Sequence, residues 1–259
     1  MDALLDFSGQ RVIITGAASG FGKLLAEGLA QRGASLVLGD INQQAVDTLA
    51  AELRAGGAKV FSQLSNVSVE EDCRRLVDTA VSEFGGLDIA INNAGVAQDF
   101  VAFEEIDSVE WNRQWAVNVG GVQQGMRYQI TQMKRQGSGH ILNIASMAGL
   151  GGAPGIAAYA AAKHAVVGLT RSAAMELGPL NIRVNAACPY FTLTPMVAES
   201  PSAKVNGVEA MAATLSRGCA LKRLGQPQEV ANAMILLLSP QNTYMTGQCV
   251  AISGGASSL

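Results

Sequence analysis

RVIITGAASGFG, residues 11–22, passes from a β-branched run through spaced glycines into a helical pattern. Val12, Ile13 and Ile14 are consecutive and apolar, which suits a strand buried on both faces, because successive side chains point to opposite sides. Glycines at 16, 20 and 22 permit a sharp turn and let a backbone approach a bound group closely. Residues 20–32 then place Leu24, Leu25, Leu29 and Ala30 where a helix would bury them. A strand, a glycine turn and a helix start suit a diphosphate, which the free N–H groups and positive helix end attract. An ordinary βα turn reads the same way, so the turn alone leaves both open.

The alternation repeats outward from there. Residues 35–40, 58–67, 87–95, 140–146, 181–189 and 248–253 read as strands. Residues 42–55, 69–84, 108 through the 130s, 157–177 and 227–238 read as helices. Near-continuous apolar strands separated by helices predict the α/β class, with a doubly wound parallel sheet of about seven strands covered on both faces. One domain over 1–259 accounts for the pattern, and 190–220 reads as a less regular, mobile segment.

Composition narrows the function. Of 259 residues, 49% are hydrophobic and 15% charged, a globular balance, and the net charge is -3. No basic run exists to hold nucleic acid. No stretch reaches the roughly 18 apolar residues of a membrane span, and MDALLDFSGQ has no signal-peptide pattern. Cys73, Cys188, Cys219 and Cys249 match no disulfide or metal spacing, so a reduced, cytoplasmic setting is expected. His140 and His164 lack ligand spacing, and no metal is expected.

Asp40 ends the second strand, 24 residues beyond Gly16. A carboxylate there accepts both hydrogen bonds of an adenosine ribose diol and repels a 2′-phosphate. No Arg or Lys stands in Gly39–Asn42 or in the glycine turn, which favours NAD over NADP. A capping role for Asp40 is compatible with this. Asn92-Asn93-Ala94-Gly95 ends the fourth strand at the carboxyl edge, where ligands bind. Its asparagines are suited to tying loops together, although Asn and Gly favour plain turns too.

Tyr159 and Lys163 are four apart on one helix face. A neighbouring ammonium is expected to lower the tyrosine pKa and make the phenol a usable acid and base for an alcohol proton. The same spacing commonly decorates an exposed helix. Ser146 ends the fifth strand 13 residues earlier, where its hydroxyl would hold the substrate oxygen or serve as a cap.

With these residues in place, the chain resembles the short-chain dehydrogenase/reductase family over nearly its whole length. The resemblance is carried by TGAASGFG (15–22), Asp40, NNAG (92–95), Asn118 in VNVGG, Ser146 in NIAS, YAAAK (159–163), the segment from Pro189 to Thr194 and RLGQP (223–227). It implies a Rossmann-type fold, a homotetramer with helices near 108–135 and 157–177 as the interface, and an NAD(H)-linked oxidoreductase. By the same resemblance Asn118, Ser146, Tyr159 and Lys163 form the catalytic set. Asn118 distorts its helix and places a water that links Lys163 to solvent, and Lys163 also holds the nicotinamide ribose.

The cofactor is assigned by resemblance to Gly16, Ser19, Gly20, Phe21 and Gly22 at the diphosphate. Asp40, Ile41, Asn66 and Val67 take the adenosine, while Asn93, Ala94 and Gly95 lie against it. Pro189 and Thr194 take the carboxamide end, Tyr159 and Lys163 also contact the cofactor, and 190–220 covers the substrate. Three positions depart from the family pattern. Asn66 replaces an Asp, with an amide able both to donate and to accept at an adenine edge. Phe21 replaces an Ile and would pack over the diphosphate. Tyr190 replaces a glycine, either narrowing the pocket or turning outward.

Gln98, Ser146, Met147, Leu150, Gly151, Tyr190 and Met196 are the expected substrate-facing residues. Most are apolar or small and none is cationic. A neutral, largely apolar secondary alcohol or ketone is therefore expected, with cyclic, aromatic and steroid-like compounds in range. The alternatives are a 3-oxoacyl-thioester or sugar oxidoreductase of the same family, or an NAD-binding regulatory protein without turnover.

Overall fold

In the computed structural model, which describes residues 2–198, 204 and 207–258, seven parallel strands form one sheet in the order β3-β2-β1-β4-β5-β6-β7. The strands are β1 (Arg11–Thr15), β2 (Ser35–Asp40), β3 (Val60–Leu64), β4 (Ile89–Asn92), β5 (Gly139–Ile144), β6 (Ile182–Pro189) and β7 (Cys249–Ile252). Chain order runs outward one way from β1 and the other way from β4, so the direction of winding switches between these neighbours. Val12, Ile13 and Ile14 face Ile89, Ala90 and Ile91 across that junction. The expected doubly wound parallel sheet is what the chain forms.

The continuous apolar strands supply two cores at once. Val12, Ile14, Leu36 and Leu38 point to one face, while Ile13 and Val37 between them point to the other. The first face is covered by α1 (Gly20–Ala30), α2 (Gln43–Ala55) and a late helix, Pro227–Leu238. The second is covered by α3 (Glu70–Phe84), α5 (Gly121–Gln136) and α6 (Ala157–Leu177). Gly85 and Gly137 end α3 and α5 at φ of 79° and 76°, a left-handed cap that glycine adopts without strain.

The helix expected from 108 through the 130s is not one continuous helix. It is α4 (Ser108–Gln114), a π-helical turn (Trp115–Gly120) and then α5. The Gly121 N–H reaches back five residues to the Ala116 carbonyl. Among the described residues, the segment 190–220 includes the helices α7 (Pro195–Ala198) and α8 (Val208–Ser216), and Pro227–Leu238 is α9. Its residues 199–203 and 205–206 lie outside the described residues. Among the described residues no helix is long and apolar enough to cross a membrane.

One buried group makes the fold acid-sensitive. His140 on β5 is 3% exposed. Its Nε2 faces the amide donor of Asn185 at 3.2 Å and an Arg183 guanidinium nitrogen at 3.4 Å. Burial, then the Arg183 charge, push the imidazole down to about 3. Between that value and its unfolded pKa near 6.5, only the unfolded chain takes up the proton, so stability falls as pH falls through this window. The loss is expected to be about 1.4 kcal/mol per pH unit. Urea unfolding at several pH values should show a shallower acid decline for His140→Asn than for the wild type; parallel declines would contradict this.

Candidate active site

A cleft of about 1030 Å³ opens where the winding switches, at the carboxyl edge of the sheet. It is large enough for a dinucleotide together with a small substrate. Every sequence-predicted site residue lines it except Gly22. A Cβ on Gly22 would stand 2.0 Å from the Gly16 carbonyl oxygen and 2.7 Å from Asn93 Nδ2. Gly22 therefore lets α1 pack closely onto its own turn.

The glycine turn has the features of a diphosphate cradle. Gly16 and Gly20 have φ of 63° and 52°. A Cβ on Gly16 would come within 2.8 Å of Ala94 Cα, so bare backbone is required there. The N-cap of α1, Ser19, makes no side-chain capping bond. The turn is held from below: Asn93 Nδ2 donates to the Thr15 and Gly16 carbonyls at 2.9 and 3.0 Å, and Thr15 Oγ1 accepts from the Asn93 and Ala94 N–H groups. The expected tie between loops through asparagine is thus present.

Asp40 is 9% exposed and accepts one backbone N–H on each oxygen, from Ala18 and from Asn42, both at 2.9 Å. Each carboxylate oxygen keeps capacity for another donor. Asn42, not Asp40, caps α2, its Oδ1 accepting the Ala45 N–H. Asn66 differs from expectation. Its Oδ1 already accepts from Ser68 N–H at 3.0 Å and Ser68 Oγ at 2.7 Å, so the amide group left for the cleft is the Nδ2 donor alone. Val67 is buried and Ile41 is exposed on the cleft wall. Phe21 packs beside the first core as well as lining the cleft.

Ser146, Tyr159 and Lys163 converge at the other end. Ser146 follows β5, and its Oγ accepts the Ala148 N–H at 3.1 Å. Lys163 is 5% exposed, with Nζ donating to the Ile144 carbonyl at 2.9 Å and lying 5.5 Å from the Tyr159 ring centroid. The expected lowering of the tyrosine pKa is not found. Burial raises it, and a hydrogen bond with Ser146 offsets only part of that. Burial also brings Lys163 down to about 8. The ammonium sits over the ring and on a carbonyl, and both charged forms lose hydration.

Asn118 is fully buried inside the π-helical turn, so its helix is distorted there. Its side chain is committed: Oδ1 accepts the Val96 N–H at 3.0 Å, and Nδ2 donates to the Val96 carbonyl at 2.9 Å and to Gln114 Oε1. A Cβ on Gly95 would lie 2.7 Å from Asn118 Oδ1 and 3.6 Å from Lys163 Nζ, so these groups crowd one small space. Thr194 is 7% exposed and faces Gly20, closing the cleft from the β6 side beyond Pro189.

The substrate end is aromatic beyond what the sequence indicated. Phe100 stacks on Phe191 with centroids 6.3 Å apart, and Phe191 meets Tyr190 edge-on at 5.1 Å. Both phenylalanines line the cleft; their only sequence signal is an aromatic residue in a loop leaving a strand. Tyr190 faces inward, and its hydroxyl donates to the Leu215 carbonyl at 3.3 Å, tying α8 to the site. Met147, Leu150, Gly151 and Met196 complete this wall, with Leu150 and Met196 exposed at the mouth. Asp40 and Lys163 are the charged side chains among the described residues lining the cleft.

A family model described as enoyl-(acyl carrier protein) reductase matches residues 16–257. Cyclohexanol dehydrogenase of Acinetobacter sp. (strain SE19) is 38% identical over 252 residues, 97% of this chain and 96% of that protein. The crystal structure of levodione reductase superposes with a TM-score of 0.93 at 35% identity, covering 97% of this chain and 99% of the other. A 3-ketoacyl-(acyl-carrier-protein) reductase from Brucella melitensis, crystallised with NADH, has a TM-score of 0.88 at 32% identity, covering 97% and 100%.

Proposed function

The chain belongs to the short-chain dehydrogenase/reductase family of oxidoreductases, and on that footing we propose that it interconverts neutral cyclic secondary alcohols and their ketones with NAD(H). The observation that carries this reading is the convergence of Ser146, Tyr159 and Lys163 beside an aromatic wall of Phe100, Phe191 and Tyr190. A flat or ring-shaped apolar compound suits such a wall. The relatives named for cyclohexanol and levodione agree with it.

The bound NAD(H) supplies the hydride acceptor or donor. Gly16, Ser19, Gly20 and Phe21 hold its diphosphate, with Gly22 shaping the turn. Asp40 takes the ribose diol, and Ile41, Asn66 and Val67 take the adenine. Asn93, Ala94, Gly95, Pro189 and Thr194 frame the nicotinamide end. Ser146 Oγ and the Tyr159 hydroxyl hold the substrate oxygen. Tyr159 receives the alcohol proton in oxidation and returns it in reduction. The Lys163 ammonium supports negative charge as it develops on that phenol. Asn118 fixes the Val96 backbone beside Lys163. A homotetramer would cover the exposed Trp115 and Met175 on the helices expected at its interface.

NADH formation with a panel of secondary alcohols tests the reading. Cyclic alcohols are expected to lead, with carboxylated ones and short acyclic ones behind. The NADH-bound 3-ketoacyl-(acyl-carrier-protein) reductase relative favours a second reading, a 3-oxoacyl-thioester reductase, and the family description likewise names an acyl-carrier substrate. An acetoacetyl thioester reduced faster than every ring ketone would replace the first reading with the second.

A further inference from the structure

Gln98 lies three residues beyond Gly95 on the loop leaving β4. It is 7% exposed and forms part of the cleft wall. Its Oε1 accepts the backbone N–H of Tyr159 at 2.9 Å, across 61 residues of chain. Tyr159 is the third residue of α6, whose N-cap, Ile156, makes no side-chain capping bond. Gln98 therefore satisfies an amide that the helix start leaves open. The contact also fixes the orientation of the glutamine amide. A backbone N–H needs an acceptor, so the oxygen faces Tyr159 and the nitrogen is turned away.

That nitrogen, Nε2, is buried and has no hydrogen-bond partner among the described residues. Buried donors are nearly always paired, so an orphan in a cleft wall points to a group that arrives with the ligand. Phe100, Leu150, Phe191 and Met196, which share the cleft, carry no strong side-chain acceptor. Resting on the cyclic-alcohol reading above, we propose that Gln98 Nε2 donates a hydrogen bond to a second oxygen of the substrate. The preferred rings then carry a ketone or hydroxyl oxygen besides the reacting one. Gln98 grips the backbone end of Tyr159, whereas the reacting oxygen is held at the hydroxyl end. The second oxygen is accordingly one borne on the far side of the ring.

The experiment compares cyclohexane-1,4-dione with 4-methylcyclohexanone as substrates for NADH-dependent reduction by wild type, Gln98→Glu and Gln98→Met. The glutamate keeps an acceptor for the Tyr159 N–H but replaces the donor with a carboxylate oxygen. The methionine keeps the length and removes both polar atoms. The dione-to-methylketone ratio of kcat/KM is taken within each protein, so a general loss of activity cancels. That ratio is expected to fall about tenfold in both variants, the size of one hydrogen bond. An unchanged ratio in either variant overturns the role of Gln98 and leaves the cyclic-alcohol reading standing. Failure of the wild type to reduce any ring ketone or oxidise any ring alcohol overturns that reading and this inference with it.

Discussion

Tyr159→Phe is expected to lower kcat by about a thousandfold, within the range that a positioned proton donor and acceptor contributes. The change removes one oxygen from a ring that is otherwise held by its surroundings. The backbone of Tyr159 is fixed by Gln98 and by the first turn of α6, so the phenylalanine ring should occupy the same place. NADH affinity, followed by fluorescence titration, should therefore be retained while turnover is lost. A phenylalanine variant that keeps substantial turnover would mean that another group moves the proton, Ser146 being the hydroxyl hydrogen-bonded to Tyr159. The burial that raises the Tyr159 pKa bears on this result. A phenol above its usual range is a strong base once ionised but is seldom ionised. On the proposed mechanism the Lys163 charge supports the moving proton, so turnover is expected to fall as that charge is lost above pH about 8.

Exchange of NAD⁺ for NADP⁺ is expected to reduce kcat/KM by at least about a hundredfold, roughly the loss when a buried charge is left without a partner. Asp40 is nearly buried, with both oxygens fixed by backbone N–H groups, so it cannot swing away from a 2′-phosphate. No cationic side chain among the described cleft residues stands near it, since Lys163 belongs to the opposite end. Asp40→Ala should narrow the preference mainly by weakening NAD⁺, because it removes the proposed diol acceptor and loosens Ala18 in the glycine turn. Comparable kcat/KM for the two coenzymes in the wild type would contradict the role given to Asp40.

The elements whose logic is local were readable from the sequence. A run such as Val12-Ile13-Ile14 has no polar face, and the structure buries both sides of it. The helix at 157–177 has the extent its periodicity indicates. The residues of the cleft were also legible, because the βα turns of a doubly wound sheet converge on one edge. What failed to show depends on distance or on environment. The π-helical turn leaves the apolar spacing on either side nearly intact, so periodicity alone reads straight through it. The bond from Gln98 to Tyr159 joins positions 61 apart and has no local signature. The rise in the tyrosine pKa has no sequence signal, because spacing gives the charge on Lys163 but not the dehydration of both groups. The packing demand at Gly22 is equally silent, because a glycine needed for packing looks the same in sequence as one needed for binding.

The π-helical turn sets the phase of the long helical stretch that contains it. It holds one residue more than a regular turn, so the two sides are out of step by roughly one residue's rotation, about 100°. The earlier side directs Gln114 toward Asn118 and the Ala97 carbonyl. The later side directs Val122, Met126 and Met133 into the core. A lineage that lost a single residue there would regain an unbroken helix and surrender one of these two alignments. Length at this point is therefore constrained along with the identity of Asn118. Divergence in such a helix should spare Asn118 and the residue count and fall on the other side chains.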